Sequence, residues 1–333
     1  MSDGGADPYA AAAAQGIHRI SVPTPFAVGR VNAFLIEDEP LTLIDTGPNS
    51  GTSFDELQRG IEAHGHRLED VEQVVITHQH LDHLGLVSLV AGHAGATVAA
   101  IEPAARFLSD YQAEAKAEDE YAGDMMLRHG IPADVASALQ SVSSAFHAWG
   151  ARADVDRVLH DGDELTFAKR RLEVLFRPGH SPSDTVFLDR ERKLLFAGDH
   201  LLKHISSNPL IARPTDGSDE RPQSLAIYLE SLRKTRELDL ELVLPGHGDP
   251  IDDHRSLIDQ RFTGHERRAA KIQRLIAERP RTAYDIAQAI WGNIAVTQAY
   301  LTLSEVLGHM DLLLNAGSAR ELDRDGVSVF EAA

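Results

Sequence analysis

The chain of 333 residues contains no cysteine. Disulfides and thiolate metal sites are thereby excluded, and a reducing, cytoplasmic setting is expected. Long apolar runs are also missing. The stretch "LGLVSLVAG" from Leu84 to Gly92 is among the longest, far short of the roughly 20 residues a membrane-crossing helix needs, so no membrane partner is expected. No Lys or Arg precedes Arg19. The opening "MSDGGADPYAAAAAQG" thus lacks the positive charge of a secretory or mitochondrial leader, and residues 1–16 read as a disordered lead-in. Cations are scarce throughout: 32 Lys and Arg face 51 Asp and Glu, a net charge of −19. Such a surface repels phosphate backbones and anionic membranes unless the few cations cluster.

What is present is globular composition, 43% hydrophobic and 25% charged, enough for a sizeable core. Residues 17–47 alternate in strand fashion, with a turn at "EDEPL". Residues 53–64 have helical spacing, and "VEQVVIT" and "TVAAIEP" read as short strands. Strands interleaved with crossover helices predict an α/β layered fold. Residues 103–150 read as two or three helices broken at Gly130–Pro132, an insertion. Strand signals return over 156–198. Residues 223–237 form an amphipathic helix, and "LELVLPGHGDP" is a strand ending in a loop. Beyond residue 262 the pattern becomes three helices and a hairpin that turns at Asp325–Gly326. A capping box at Thr282 and Asp285 starts the middle helix, and Gly317 stops the last. The expected division is a catalytic domain over 17–262 and a winged-helix-like module over 263–333.

One stretch concentrates chemistry. "THQHLDHLG" places His78, His80, Asp82 and His83 in a loop that follows a strand and runs into a helix. Such a loop can aim two imidazoles at one point and a carboxylate plus an imidazole at a second. Further donors stand at other strand ends: His180 in "RPGHSPSD", Asp199 in "LLFAGDH" and His247 in "LVLPGHGDP". Neutral imidazoles and carboxylates bind Zn²⁺, Fe²⁺ or Mn²⁺, and five His with two Asp suit a dinuclear site with a bridging carboxylate. The competing reading is chance, since the chain has 17 histidines. Five of them with two aspartates at strand ends beside Gly or Pro weigh against it.

Over about residues 17–262 this pattern resembles the metallo-β-lactamase superfamily. The family's H-x-H-x-D-H motif stands as His78, His80, Asp82 and His83, its later His, Asp and His match His180, Asp199 and His247, and its "LIDTG" strand carries Asp45. The resemblance implies an αββα sandwich with the site at one edge. It also implies that His78, His80 and His180 hold one metal, that Asp82, His83 and His247 hold the other, and that Asp199 bridges them. Zinc is the first expectation, with iron or manganese as alternatives. Two divalent ions sharing a water lower its pKa from about 15.7 toward neutrality. The resulting bridging hydroxide would attack an electrophilic carbonyl or phosphorus, with Asp82 orienting it. Asp45 reads as a residue that orients a ligand histidine, and His204, on the loop after Asp199, as a substrate contact or proton donor. "GHSPS" is not a G-x-S-x-G elbow, which disfavours a serine hydrolase.

The resemblance also narrows the substrate. Lactam-hydrolysing members often place Cys at the bridging position, and this chain has none. The layout is closer to the glyoxalase II-like and β-lactamase-like-protein-2 branches, the second of which carries a C-terminal winged-helix-like module and includes an endoribonuclease. "GHSPSDT" departs from the glyoxalase-like "GHTPGH", which puts glutathione thioesters in doubt. The expected reaction is hydrolysis of a small-molecule thioester, ester or lactone, and the alternative is a metal-dependent phosphodiesterase or ribonuclease. Charge separates the two. No Lys or Arg lies between Arg281 and Arg320, and the helix that would enter a groove, about 296–316, carries Glu305 and Asp311 instead. Phosphate contacts need cations. The module is therefore expected to serve packing or homodimerisation, not nucleic-acid binding. Tyr111, Tyr121, Met125, Met126 and Trp149 of the insertion are candidates for a lid over the site.

Overall fold

The computed structural model describes residues 7–214, 218, 220–293 and 298–333. Two sheets face each other. The first runs, in spatial order, Ile17–Val22 (β1), Val31–Ile36 (β2), Thr42–Ile44 (β3), Gln73–Ile76 (β4), Thr97–Ile101 (β5) and Arg157–Leu159 (β6). The second is built from Glu164–Thr166 (β7), Arg171–Phe176 (β8), Thr185–Asp189 (β9), Leu194–Gly198 (β10) and Leu242–Pro245 (β11), in the order β11-β10-β9-β8-β7. Side chains of a strand alternate between faces, and the second sheet uses both. Leu172, Val174, Phe187, Leu194, Phe196 and Leu244 join the core shared with the first sheet. Their neighbours Leu175, Val186, Leu188, Leu195 and Val243 pack outward on helix Ser224–Arg236, through Leu225, Tyr228, Leu229 and Leu232. Phe34 of β2 meets Phe196 of β10 across the interior at 5.6 Å. This is the layered α/β sandwich the resemblance implies.

The strands place the chemistry. β3, β4 and β5 are mutually parallel, as are β10 and β11, while β9 runs antiparallel to both β8 and β10. The C-terminal ends of β3, β4, β8, β10 and β11 carry Asp45, His78, His180, Asp199 and His247 respectively.

Two expectations about organisation need correcting. Residues 1–6 of the expected disordered lead-in lie outside the described residues. From residue 7, order replaces the expected disorder: Ala10–Ala13 form a short helix, Tyr9 and Ala12 are buried, and the Tyr9 hydroxyl donates to Gly248 O at 2.7 Å. The tyrosine earns its burial by reaching a loop that the sequence places far away. In addition, the expected division between residues 262 and 263 falls inside one continuous helix, His254–Glu278.

The insertion forms the helices Glu102–Ser109, Tyr111–Arg128 and Ala133–Phe146. The C-terminal region adds Ala283–Trp291, capped by the Thr282–Asp285 box, then Ala299–Asn315 and the small sheet β12-β14-β13 (Arg281–Thr282, Val327–Ala332, Ala319–Arg324). These two regions are not independent. Met125, Met126 and Ala136 of the insertion share one core with Ile272, Ile286, Leu303, Val306, Leu307, Met310 and Phe330. The apolar stripe of Ala299–Asn315 is thus used inside the chain's own core. The candidate docking helix is buried along most of its described length, and Asp311 pairs with Arg221 at 2.5 Å.

Candidate metal centre

All seven expected donors meet at one edge of the sandwich. His78 Nε2 and His180 Nε2 each lie 3.0 Å from His80 Nδ1. Asp199 sits beside both this triad and a second one. Its Oδ1 is 3.4 Å from His83 Nε2, and its Oδ2 is 3.5 Å from His247 Nε2 and 3.7 Å from His180 Nε2. Asp82 Oδ2 is 3.2 Å from His247 Nε2. Two sets of ligand atoms, His78–His80–His180 and Asp82–His83–His247, each fall within 4.8 Å of one another, and His78, His83 and Asp199 link them.

The tautomers follow from the partners behind each ring. Asp45 accepts from Thr77 N (2.9 Å), the Thr77 hydroxyl (2.7 Å) and His83 Nδ1 (2.7 Å). The hydroxyl has spent its proton on Asp45, so it receives one from His78 Nδ1, at 3.0 Å. His180 Nδ1 donates to Asn208 O (2.9 Å) and His247 Nδ1 to Arg30 O (2.8 Å). Four imidazoles therefore present Nε2 lone pairs to the centre, and His80 presents Nδ1. Such outer partners orient a ligand ring and raise its basicity. Asp45 adopts φ 59°, a left-handed conformation that costs a non-glycine residue energy, and its three accepted bonds hold it there.

Electrostatics divide the seven. Burial, with neighbouring imidazoles, drives the pKa of His78 well below the ordinary value and that of His80 down to about 3, so both stay neutral. Burial opposes charge on His83 and His247 as well, but there the carboxylates prevail, Asp199 foremost, and both pKa values rise. Asp199 is held well below the carboxylate range because His247 and His83 outweigh its desolvation. The field that draws protons onto these imidazoles would equally draw a cation.

A metal fits this donor set. His83 Nε2, His247 Nε2 and Asp199 Oδ1 are buried without a hydrogen-bond partner, which is costly unless something else satisfies them. The space between them is kept open by Gly246, where a Cβ would lie 2.4 Å from Asp199 Oδ1 and 2.7 Å from His83 Cε1. Gly179, just before His180, is needed for a second reason: at φ +149° its Cβ would strike Tyr228 Cα at 2.4 Å, so this loop lies directly on helix Ser224–Arg236.

His204 is not among the clustered donors and lies beside the loop that follows His247, near Gly248. Its ring is exposed and its Nε2 lies 2.9 Å from Asp249 Oδ2. His200 turns into the core, with Nε2 2.8 Å from Thr235 Oγ1. Of the insertion's candidates for a lid, Met126 lines a cavity beside the centre, whereas the Tyr111 hydroxyl donates to His147 O. Sequence reasoning did not find Asn32, Arg30 and Asn208, which act through backbone atoms or at long range. Asn32 donates to the Tyr9 hydroxyl, to Pro245 O and to Gly248 O, at 2.9, 2.9 and 3.1 Å, and so clamps the His247 loop.

The family model "Metallo-beta-lactamase superfamily" matches residues 27–247. The chain is 34% identical over 300 residues to the "Probable metallo-hydrolase YqjP" of Bacillus subtilis, covering 88% of this chain and 91% of that protein. It is 28% identical over 141 residues to the "Atrochrysone carboxyl ACP thioesterase" of Aspergillus fumigatus, 42% of this chain and 40% of that one. It is 36% identical over 98 residues to the "Acyl-coenzyme A thioesterase MBLAC2" of Gallus gallus, 27% of this chain and 31% of that one. A solved "Beta-lactamase domain protein" from Burkholderia ambifaria superposes with a TM-score of 0.82 at 27% identity, over 96% of this chain and 92% of the other.

Proposed function

Because the chain belongs to the metallo-beta-lactamase superfamily, we propose that it is a dinuclear metal-dependent hydrolase of small-molecule acyl thioesters. The observation that carries the metal half of this reading is the set of buried, unpartnered donors at His83, His247 and Asp199. His78, His80 and His180 would hold one ion, Asp82, His83 and His247 the other, and Asp199 would reach both. An all-nitrogen-and-oxygen donor set suits zinc first, and also iron or manganese. When bound, the pair supplies Lewis-acid polarisation and lowers the pKa of water.

The chain's own residues do the rest. The Asp45–Thr77 pair and the carbonyls of Asn208 and Arg30 hold the imidazole protons on Nδ1. Asp82 would orient the attacking water through its carboxylate. His204, exposed and paired with Asp249, has no step in this reading. Two relatives named as thioesterases support a thioester over a lactone or lactam. Charge disfavours a ribonuclease, since no Lys or Arg lies between Arg281 and Arg320. The C-terminal helices, which we read as a winged-helix-like packing element, keep their candidate docking helix buried.

The test is an activity panel on zinc-loaded protein: acyl-CoA thioesters, lactones, phosphodiesters and single-stranded RNA. Hydrolysis of thioesters, abolished by a chelator and restored by metal, is expected. Cleavage of RNA or phosphodiesters without thioester hydrolysis would overturn the reading.

A further inference from the structure

Beside the centre a cavity of about 460 Å³ runs between the insertion and the C-terminal helices. Its volume lies in the range of small-molecule sites. One end is formed by His80 and Ser181, so a group seated in the cavity adjoins a metal donor. The walls are Phe107, Leu139, Val142 and Phe146 from the insertion, and Ile211 and Leu301 from the opposite side. Val142 and Leu301, both in the lining, are large apolar side chains left 52% and 41% exposed.

The polar groups that line the cavity are engaged with one another. Asp119 accepts from Ser143 (2.6 Å) and Ser144 (3.0 Å), and lies 3.0 Å from His147 Nε2. Gln140 donates to Asp119 O, the Tyr300 hydroxyl donates to Ile211 O, and Glu118 accepts from Arg213 N. What remains for a guest is mostly apolar surface, with Gln79 and Gln298 as further polar lining. The far wall is also tied to the centre: Asn208, whose carbonyl holds His180, donates its side-chain amide to Leu301 O at 2.9 Å.

We propose that this cavity binds the hydrocarbon chain of an acyl substrate, and that the insertion and the C-terminal helix together set the chain length accepted. Head and tail divide the recognition. The carbonyl lies at the donors, and the chain covers Val142 and Leu301. The proposal rests on the thioesterase reading for catalysis, but the cavity itself does not depend on it. Burial of a methylene contributes about 0.8 kcal/mol, close to fourfold in affinity, so selectivity should climb steeply with chain length and level off once the cavity is full.

The experiment has two arms on the full chain. In the first, kcat/KM is measured for saturated acyl-CoA esters from acetyl upward with zinc-loaded protein. In the second, binding of the matching free fatty acids to metal-free protein is measured by displacement of a fluorescent fatty acid. Both should improve by roughly fourfold per methylene and then plateau. Val142→Trp should move the plateau to shorter chains. Leu301→Glu, at an exposed position that tolerates change, should lower the ratio of long-chain to short-chain kcat/KM at least tenfold. Leu89→Glu, an exposed residue on Val87–Ala94, should leave the profile as it is. Thioester hydrolysis that is flat with chain length would overturn the cavity proposal and leave the thioesterase reading standing. If no thioester is hydrolysed but fatty acids bind with the expected length dependence, and Val142→Trp shifts it, the cavity proposal stands and the reaction is wrong. Fatty-acid binding that is absent, or indifferent to both wall variants, would overturn the proposal.

Discussion

Two histidine clusters in this chain pass the same test of proximity and differ in everything else. At the sheet edge, seven donors arrive from four strand ends, four of them on the segment after β4. Between His265 and His309, on the helices His254–Glu278 and Ala299–Asn315, a second group with Glu305 also brings its ligand atoms within 4.8 Å. Here the partners point inward. His309 Nδ1 donates to Glu305 O at 2.7 Å, its Nε2 accepts from His265 Nδ1 at 3.3 Å, and the Glu305 carboxylate pairs with Arg268 at 3.2 Å. Of its ligand atoms, His265 Nε2 alone is left unpartnered. At the sheet edge four of the five rings have their partners behind them, and the lone pairs face a common space. A metal site is marked by donors oriented from outside and unsatisfied inside, and closeness alone does not make one.

The strongest way to break this contrast is to fill or empty the edge site. Asp199→Ala should reduce the metal content from about two ions per chain to one or fewer, by elemental analysis. Gly246→Ala should do the same, because its methyl would occupy the space beside Asp199 and His83. Full retention of both ions in either variant would remove Asp199 from its place between the triads.

A smaller effect is expected from the residues behind the rings. Asp45→Asn keeps the shape but cannot accept from Thr77 N, the Thr77 hydroxyl and His83 Nδ1 together. Metal affinity should fall by about 10- to 100-fold, measured by competition with a chromophoric chelator. Unchanged affinity would mean that His83 needs no such support.

The smallest effect belongs to the inner cluster. His265→Phe should leave two metals per chain, and any loss would break the comparison. Its signature is stability against pH. Burial, reinforced by His309, holds the His265 pKa down at about 4, and burial does the same to His129, at about 3. Both take up a proton more readily when unfolded. The stability they confer is complete above the unfolded value of about 6.5 and declines as pH falls toward 4, by up to about 1.4 kcal/mol per pH unit for each histidine. Urea midpoints measured from pH 7 to 4 should therefore drop less steeply in His265→Phe than in the parent chain.

How much of this was legible in the sequence depends on how far each contact reaches. The seven donors stand beside short apolar strands and glycines, so local pattern was enough to mark them, and Asp45 was visible within its strand motif. The Thr282–Asp285 cap and the Asp325–Gly326 turn are equally local. The burial of Tyr9 was not legible, because Gly248, its partner, is 239 positions away. Nor was the shared core of Met125, Met126, Leu303 and Met310, since nothing in a helix's own periodicity says which other helix it faces. His204 was singled out by its place in sequence near Asp199, and its contacts in space, Gly248 and Asp249 on the loop after His247, were not legible there. Asn208 serves His180 through a backbone carbonyl, a contact that residue type does not encode.

The Tyr9 clamp bears on how this polypeptide tolerates damage. A peptidase that trims past residue 9 would leave every donor in place, yet it would remove the hydroxyl that steadies the loop bearing His247. The injury would surface more than 200 positions along the chain, as an ion that exchanges too easily. The first described turn is, in that sense, a fastener for the proposed metal centre.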